Sequence, residues 1–240
     1  MQLEDRDYKL DDYLARADDI YTMTKYKIVM DWLPHQPGLN ILNAGCGSGE
    51  MNILLSQQKA WQVDAIDVDI QAIHLSQQLK EQGHINNLNV VHSTIEEHQY
   101  SQPYNIIVSN DVLEHIEDDT KAIKKLADML VPQGILCISV PAYPWLFGFH
   151  DEKLGHYRRY NRQDLLRKLT PYFNIHKCRY FAASLIPVVL VYSCWLRKPY
   201  PVRNLGQKSR LKNTLDQILT LEGKVSLPMG ISLMVFATKK

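Results

Sequence analysis

Three glycines directly after a short apolar run constrain the fold of this chain more than any other feature. Residues 41–50 read ILNAGCGSGE, with glycines at positions 45, 47 and 49. Glycines in this pattern let a backbone turn tightly and approach a ligand closely. When such a turn joins a buried strand to a helix, its N–H groups lie at the carboxyl edge of the sheet, where open α/β proteins bind ligands. The stretch therefore predicts a strand, a ligand-binding turn and a helix, in that order.

Along the rest of the chain, short apolar runs alternate with longer helical patterns, which is typical of a parallel sheet with crossover helices. We predict strands at 40–44, 61–68, 88–93, 104–109, 134–141, 173–181 and 230–239. Helices are predicted within 8–33 and at 48–58, 70–82, 118–130, 161–169 and 213–222. Gly83 is expected to cap one helix at its C-terminus and Asn161 another at its N-terminus, while Pro132 and Gly134 separate the fourth helix from the fifth strand.

These elements divide the chain into four parts. An N-terminal helical cap is predicted at 1–37 and a cofactor-binding core at 38–180. An insertion at 181–228 follows, and 229–240 supplies the final strand of the core. The connection between the last two strands is long enough to be interpreted as a functional insertion.

The glycine turn is paired with an acidic residue at the spacing that a nucleoside requires. Asp67 ends the second predicted strand, twenty-two residues after Gly45, where a carboxylate can accept hydrogen bonds from both ribose hydroxyls. The glycine spacing is GxGxG and not GxGxxG, and Glu50 in the first helical turn would repel a pyrophosphate. A nucleoside cofactor without a pyrophosphate is therefore favoured over a dinucleotide.

The stretches ILNAGCGSG, VDAIDVD and YNIIVSNDVLEHIEDD resemble, in this order, those of class I S-adenosylmethionine-dependent methyltransferases, over about residues 38–180 and again at the final strand. The resemblance implies a Rossmann-like α/β fold: a seven-stranded sheet with helices on both faces, an antiparallel last strand and an insertion between strands six and seven. It also implies S-adenosyl-L-methionine as the cofactor. The positions that match cofactor-binding residues of the family are Asn43, Ala44, Gly45, Cys46, Gly47, Asp67, Val68, Ser93, Thr94, Ile95, Asn110, Asp111 and Val112.

Two positions depart from the family pattern. The family usually has aspartate where Asn43 stands, and many members have aspartate where Ser93 stands. An amide or hydroxyl oxygen can still accept a hydrogen bond at these places, but without the charge. A catalytically silent cofactor-binding module is therefore kept as an alternative to an enzyme, and a nicotinamide-dependent oxidoreductase as a less favoured one.

Methyl transfer to a hydroxyl or an amine needs an aligned acceptor and a group that takes its proton, and histidine is a suitable base near neutral pH. Two segments that follow adjacent strands offer such groups: NDVLEHIED and the loop 141–160, whose HDxxxGHxRRY pattern resembles a bacterial branch of small-molecule methyltransferases. The candidate catalytic residues are His115, His150, His156, Tyr157 and Arg158.

Other roles remain open for some of these residues. His115 could instead orient its loop. Arg158 and Arg159 could bind an anionic group of the substrate, or one of them could be tied to an acid such as Glu114 or Asp151 as scaffolding. The aromatic residues between 143 and 149 could form a lid or belong to the core.

The substrate is expected to be a small molecule and not a nucleic acid. The Asn-Pro-Pro-Tyr motif of enzymes that methylate base or amide nitrogens is absent after the fourth strand, and no basic stripe with interleaved aromatic residues is present. The four cysteines are scattered without metal-like spacing, so no metal site is predicted. The acidic N-terminal stretch without an apolar segment favours a cytoplasmic location.

The insertion bears on where the substrate comes from. Residues 180–196 carry no charge and are interrupted by Pro187, and six cations without an acid follow between 197 and 212. We interpret the apolar run as non-spanning. A weak contact of 181–212 with a membrane surface, at its inner face, would suit a lipid-linked substrate, whereas a helix that covers the sheet or roofs the pocket is the alternative. The sequence does not indicate an oligomeric state.

Overall fold

A computed structural model of the 240-residue chain describes residues 19–200 and 210–240. The part of the predicted N-terminal cap before residue 19 lies outside the described residues, as do 201–209 and the side chains of 210–212.

The described residues form one seven-stranded sheet in the order β3-β2-β1-β4-β5-β7-β6. Strands β1 to β5 pair in parallel, and β7 runs antiparallel to both β5 and β6. The predicted α/β class and the antiparallel last strand are therefore confirmed. The strands are β1 (Asn40–Ala44), β2 (Gln62–Asp67), β3 (Leu88–His92), β4 (Tyr104–Asn110), β5 (Leu130–Pro141), β6 (Phe173–Phe181) and β7 (Ser232–Lys239).

Helices pack on both faces of this sheet. They are α1 (Ile20–Met30), α2 (Glu50–Ser56), α3 (Ile70–Gln82), α4 (Asp119–Met129), α5 (Phe149–Lys153), α6 (Arg162–Leu169), α7 (Ile186–Val188) and α8 (Arg210–Lys224). One core lies between the sheet and α4 and α6, and a second core lies between the sheet and α1, α2, α3 and α8. Adjacent residues of β1 show the division, because Ile41 belongs to the second core and Leu42 to the first. Burial on both faces explains why the strands are apolar runs without alternation.

Aspartate side chains begin three of the helices. Asp19 accepts from the backbone N–H of Thr22, Asp69 from that of Gln71, and Asp118 from that of Lys121. These bonds satisfy donors that the first turn of a helix leaves free. Two of the caps follow strands or loops that reach the carboxyl edge of the sheet, so they also fix where α3 and α4 leave it.

The start of β5 differs from the prediction. The strand begins at Leu130, directly after α4, and not beyond Pro132 and Gly134. Leu130 pairs with Tyr104, whereas the next pair along the ladder joins Ile106 to Ile135. Residues 131–134 therefore bulge out opposite a single residue of β4, which is how the strand accommodates a proline.

Both predicted caps are at the right positions but use different chemistry. Helix α3 does end at Gly83, yet this glycine is right-handed with φ −84°, and the left-handed residue is His84 with φ +46°. Asn161 precedes α6 without a side-chain hydrogen bond to it. Helix α8 is longer than predicted at both ends. Helix α5 and the 3-10 turns Leu113–His115 and Pro144–Leu146 were not predicted.

The insertion packs on the loop that follows β5. After a 3-10 turn, Ala183–Leu185, helix α7 continues into a π-helix, Val189–Trp195. The hydroxyl of Ser193 accepts from the backbone N–H of His150 at 3.0 Å. Within the described ranges, no helix has both the length and the apolar character that crossing a bilayer requires.

Candidate active site

The turn after β1 is anchored to the end of β2 by backbone hydrogen bonds. The N–H groups of Gly45 and Cys46 both donate to the carbonyl of Ile66, at 2.8 and 2.9 Å. The N–H of Gly47 donates to the carboxylate of Asp67 at 2.8 Å. The two motifs that sequence analysis paired are therefore bonded to each other.

Gly45 also touches the segment that follows β4. Its φ is +80°, and a Cβ at this position would lie 2.2 Å from Cγ2 of Val112. Such a separation is far inside van der Waals contact, so only glycine fits without displacing Val112. The turn after β1 and the turn after β4 thus meet at the edge of the sheet.

The carboxylate of Asp67 can accept further hydrogen bonds. Its two oxygens accept from the N–H groups of Gly47 and Asp69, at 2.8 and 3.0 Å. A carboxylate has about four lone-pair positions, so two hydrogen bonds leave acceptor capacity. Burial raises the pKa of Asp67, although the backbone donors act in the opposite direction.

The predicted adenine-side residues flank Asp67. Val68 exposes 41% of its surface, and its carbonyl accepts from Nε2 of His92 at 2.9 Å. The backbone N–H of Ser93 donates to the carbonyl of Asp67 at 3.0 Å. The hydroxyl of Thr94 accepts from the N–H of Glu97, and Ile95 is buried in the core. An exposed apolar side chain therefore lies beside the carboxylate.

Asn43 points into the second core and supports the turn. Its amide donates to Oδ1 of Asn52 at 2.7 Å, Asn52 donates to the hydroxyl of Ser76, and Ser76 donates to the carbonyl of Gly47 at 3.1 Å. All three side chains are buried. Sequence analysis singled out Asn43 but missed Asn52 and Ser76, which lie on α2 and α3.

Ala44 belongs to the first core and Cys46 to the second. Both side chains are buried, so only their backbone groups are available to a ligand. Burial, with a smaller contribution from Asp67, raises the pKa of the Cys46 thiol to about 12. The thiol is therefore protonated at neutral pH and is a poor nucleophile.

An ion pair between a buried lysine and a partly exposed aspartate lies at the end of β4. Lys25 of α1, only 1% exposed, forms a salt bridge with Asp111. Burial alone lowers the pKa of Lys25, but the Asp111 carboxylate outweighs it, so the net shift is upward. Asp111 has φ +54°, and the hydroxyl of Ser139 donates to Asn110 at 3.0 Å. Lys25 was not among the predicted site residues.

Two of the predicted catalytic histidines contact each other. The rings of His115 and His156 are 4.5 Å apart between centroids, edge to face at 86°. Glu114 joins them: one ligand atom from each of the three residues lies within 4.8 Å of the others. Glu114, His115 and His156 are called the EHH cluster below.

Asp151 holds His156 in one orientation. Its Oδ1 accepts from Nδ1 of His156 at 2.8 Å and from Nε of Arg159 at 2.7 Å, and its Oδ2 accepts from the N–H of Gly148 at 3.0 Å. Asp151 is fully buried. Burial by itself raises its pKa, but His156 and Arg159 outweigh burial and lower the pKa of Asp151 to about 2. An ionised carboxylate only accepts, so Nδ1 of His156 carries a proton and Nε2 is left with the lone pair of the neutral ring.

Glu114 is the most deeply buried member of the EHH cluster, at 1% exposure. Its Oε2 has no hydrogen-bond partner among the described residues. Burial, and next the nearby Asp111 carboxylate, raise the pKa of Glu114 well above its usual range. A buried carboxyl oxygen without a partner is costly and marks the cluster as a place where a proton or a cation is needed.

The other predicted catalytic residues are not members of the cluster, and the contacts described for two of them are with other residues. The ring of His150 packs on that of Tyr200, 4.8 Å between centroids. Tyr157 is 43% exposed. Arg158 binds Asp119 at 3.0 Å and donates to the carbonyl of Glu117 at 2.7 Å. Arg159 is tied to Asp151, one of the two acids named in the scaffolding alternative, and Arg158 is tied to Asp119, which was not named there.

An aromatic wall stands next to the loop. Tyr143 is stacked on Tyr180 at 5.1 Å and 13°, and Trp145 lies 5.5 Å from Tyr143. Tyr143 has φ +62°, which is strained for a residue with a side chain. Trp145 is 53% exposed. Trp145 therefore forms a surface, whereas Tyr143 packs against the first core and Tyr180 belongs to it.

The residues present fit S-adenosylmethionine by two observations. The Gly45 turn provides a backbone cradle that any Cβ would fill. The Asp67 carboxylate retains acceptor capacity for two ribose hydroxyls beside the exposed Val68.

Comparisons with known proteins show the family and the fold. A family model described as a methyltransferase domain matches residues 4–183. Ubiquinone biosynthesis O-methyltransferase of Rickettsia akari (strain Hartford) is 29% identical over 113 residues, 47% of this chain and 44% of that protein. Trans-aconitate 2-methyltransferase of Deinococcus radiodurans is 28% identical over 110 residues, 46% of this chain and 41% of that protein. The match to this chain spans less than half the length of these curated relatives.

Among solved structures, an S-adenosylmethionine-dependent methyltransferase from Mesorhizobium loti superposes with a TM-score of 0.65. The alignment covers 93% of this chain and 99% of that chain at 14% sequence identity. A likeness at this identity shows a shared fold.

Proposed function

Because this chain belongs to the methyltransferase-domain family, whose cofactor is S-adenosylmethionine, we propose that it is an enzyme that methylates an oxygen or nitrogen of a small molecule. The observation that carries the proposal is the bond between the Gly47 N–H and Asp67, which joins the glycine turn to the ribose-binding acid. A turn that only connected a strand to a helix would not need an acid with spare acceptor capacity beside it.

The cofactor, when bound, supplies an electrophilic methyl group. The chain's own residues would hold it by three sets of groups at one sheet edge. Asp67 would accept from the ribose hydroxyls, Val68 would cover one side of the adenine, and the backbone of 45–47 would face the methionyl part. The Asn43–Asn52–Ser76 hydrogen bonds keep that backbone in place.

The EHH cluster is the group that we assign to deprotonating the acceptor. A hydroxyl or an ammonium is a poor nucleophile until it loses its proton, and catalysis of this loss contributes about 100- to 10,000-fold in rate. The fixed tautomer of His156 presents Nε2 with its lone pair. Tyr143 and Trp145 would limit the access of water to the acceptor.

The class of acceptor remains a proposal. The relatives named above are, by their names, an O-methyltransferase of ubiquinone biosynthesis and a trans-aconitate 2-methyltransferase, so hydroxyls and carboxylates are the first candidates. The test is a turnover assay with the full chain and a methyl-labelled donor across a panel of phenols, carboxylic acids and amines. Transfer to one class supports an enzyme; cofactor binding without any transfer supports the silent module instead.

We also propose that the insertion touches an anionic bilayer surface on the cytoplasmic side. Trp195 and Leu196 are 71% and 51% exposed, and Arg197 and Lys198 follow them directly. An exposed indole beside cations suits the membrane interface. The remaining cations of 197–212 lie outside the residues whose side chains are described.

Co-sedimentation with phosphatidylglycerol–phosphatidylcholine vesicles at low salt tests this contact. Trp195→Ser should reduce the bound fraction. Tyr100→Ser is the control, since Tyr100 is also exposed but packs on Tyr104 of β4, which is three strands away from β6 in the sheet. Absence of binding by the wild-type chain would remove the proposal.

A further inference from the structure

We propose that the EHH cluster is a binding site for one divalent transition-metal ion, with Glu114, His115 and His156 as its protein ligands. The inference rests on the proposed function only for what the ion does; the binding itself stands on the geometry of the cluster.

The first support is the donor geometry. One oxygen of Glu114 and one ring nitrogen of each histidine lie within 4.8 Å of one another. Glu114 and His115 belong to the 3-10 turn after β4, whereas His156 comes from the loop between α5 and α6. The two segments are joined by a backbone bond, from the N–H of Tyr157 to the carbonyl of Glu114 at 2.8 Å. The donors are therefore held together without an ion.

The second support is the buried oxygen of Glu114. Oε2 has no hydrogen-bond partner among the described residues, and the residue is 1% exposed. The charged groups that influence Glu114 are Asp111, Lys25 and Asp151, two of which are acids. Both of these acids are already paired, Asp111 with Lys25 and Asp151 with Arg159. A cation at the EHH cluster would bind Oε2 of Glu114, for which these ion pairs provide no partner.

The third support is the carboxylate that accepts a hydrogen bond from His156. Histidines that ligate metals commonly donate their other ring N–H to a carboxylate, which fixes the tautomer and increases the basicity of the ligating nitrogen. Asp151 does this for Nδ1 of His156 at 2.8 Å, and Arg159 and the Gly148 N–H fix Asp151 in turn. The nitrogen presented to the cluster is Nε2.

The donor set selects the kind of ion. Two imidazoles and one carboxylate suit Zn²⁺ and related first-row ions, whereas Mg²⁺ and Ca²⁺ prefer oxygen donors. Three protein ligands leave a fourth position open, as catalytic zinc sites do. An acceptor hydroxyl bound there would have its pKa lowered and would release its proton to water. With the ion bound, Nε2 of His156 would be a ligand, so the cluster would deprotonate the acceptor through the ion and not through the histidine as a base. The new O–CH₃ bond then forms from the oxygen lone pair while the C–S bond of the cofactor breaks, and the sulfonium becomes a neutral thioether.

The experiment is a zinc titration of the full chain after treatment with a chelator, with a competing indicator and metal analysis of the dialysed protein. We expect one tightly bound Zn²⁺ per chain. Glu114→Gln and His156→Ala should each weaken its binding by about 100-fold, and Asp151→Asn by about 10-fold. His176→Ala is the control, since His176 is exposed and bonded to Thr238, and it should bind as the wild type does.

Titration with the demethylated cofactor checks that each variant is folded, because the turn at 45–47 should be intact in all of them. Zinc binding that is absent in the wild type, or equal in the wild type and both ligand variants, overturns the proposal. Methyl transfer that persists unchanged in zinc-free protein overturns the role of the ion and leaves the proposed function standing. Zinc binding without any methyl transfer would leave the ion site standing and overturn the proposed function.

Discussion

Oδ1 of Asp151 accepts a hydrogen bond from Nδ1 of His156 at 2.8 Å, and this bond decides which nitrogen of the imidazole faces the EHH cluster. The same oxygen accepts from Arg159 at 2.7 Å. One buried carboxylate thus orients both the imidazole of His156 and the guanidinium of Arg159.

Asp151→Asn should lower kcat by about 100-fold with little effect on the binding of the cofactor. An asparagine can donate as well as accept, so the tautomer of His156 is no longer fixed, and the buried Arg159 loses its countercharge. Steady-state kinetics and cofactor titration measure the two effects. The matched control is Glu152→Gln: the adjacent acid is exposed and bonded only to the exposed Arg197, so its kcat should stay within about twofold. Equal effects in both variants would contradict the role of Asp151.

Gly45→Ala should weaken cofactor binding by more than about 10-fold and destabilise the protein by about 2–4 kcal/mol. The new methyl group would lie 2.2 Å from Cγ2 of Val112, on a backbone with φ +80°. Adding Val112→Ala should restore part of the stability, because it removes the clash but not the backbone strain. Thermal unfolding measures the effect.

Gly38→Ala separates the two causes. Gly38 also has a positive φ, +74°, but a Cβ there meets nothing within 4 Å. Gly38→Ala should therefore destabilise the protein only by the backbone strain, about 1–2 kcal/mol. A cost for Gly45→Ala no larger than that for Gly38→Ala would show that the contact with Val112 is unimportant.

Lys25→Met should destabilise the protein by about 1–2 kcal/mol, because Asp111 loses its partner but, at 35% exposure, stays in contact with water. The comparison is Lys124→Met, which breaks an exposed pair with Asp128 whose members are 57% and 53% exposed; this should cost less than about 0.5 kcal/mol. Urea unfolding measures both. Combining Lys25→Met with Asp111→Asn should cost less than the sum of the two single changes, and strict additivity would argue against a direct pair.

Asp119 should make stability depend on pH. Burial alone raises its pKa, but Lys168, Tyr160 and Arg158 outweigh burial and lower the pKa below its usual range. A carboxylate with a depressed folded pKa stabilises the protein above the unfolded pKa, and this contribution is lost as pH falls through the folded pKa. The wild type should therefore lose stability below about pH 4 more steeply than Asp119→Asn does. Melting temperatures that fall by the same amount in the two proteins between pH 6 and pH 3 would contradict this.

The turn at Gly45 and its link to Asp67 could be predicted because local chemistry determines them. Glycine is required where φ is positive and a neighbour is close, and the acid at the end of β2 follows from the strand pattern. The same reasoning located His115 and His156 at adjacent strand ends, which the structure brings to 4.5 Å between ring centroids.

What could not be predicted depends on contacts between distant parts of the chain. Lys25 and Asp111 are 86 residues apart, and no local pattern pairs a helix lysine with a residue after β4. The Asn52 and Ser76 bonds to Asn43 and Gly47 likewise join three elements. The early start of β5 follows from pairing between Leu130 and Tyr104, which overrides the local signal of Pro132.

The central claim is that the edge formed by Gly45, Asp67 and Val112 binds S-adenosylmethionine. Isothermal titration with the demethylated cofactor tests it most directly, with Asp67→Ala beside the wild type and Asp64→Ala as a control in the same strand. We predict a dissociation constant in the micromolar range, about −8 kcal/mol. It should weaken by more than about 100-fold in Asp67→Ala and by less than about threefold in Asp64→Ala. No heat of binding in the wild type, or equal affinity in Asp67→Ala, would contradict the claim.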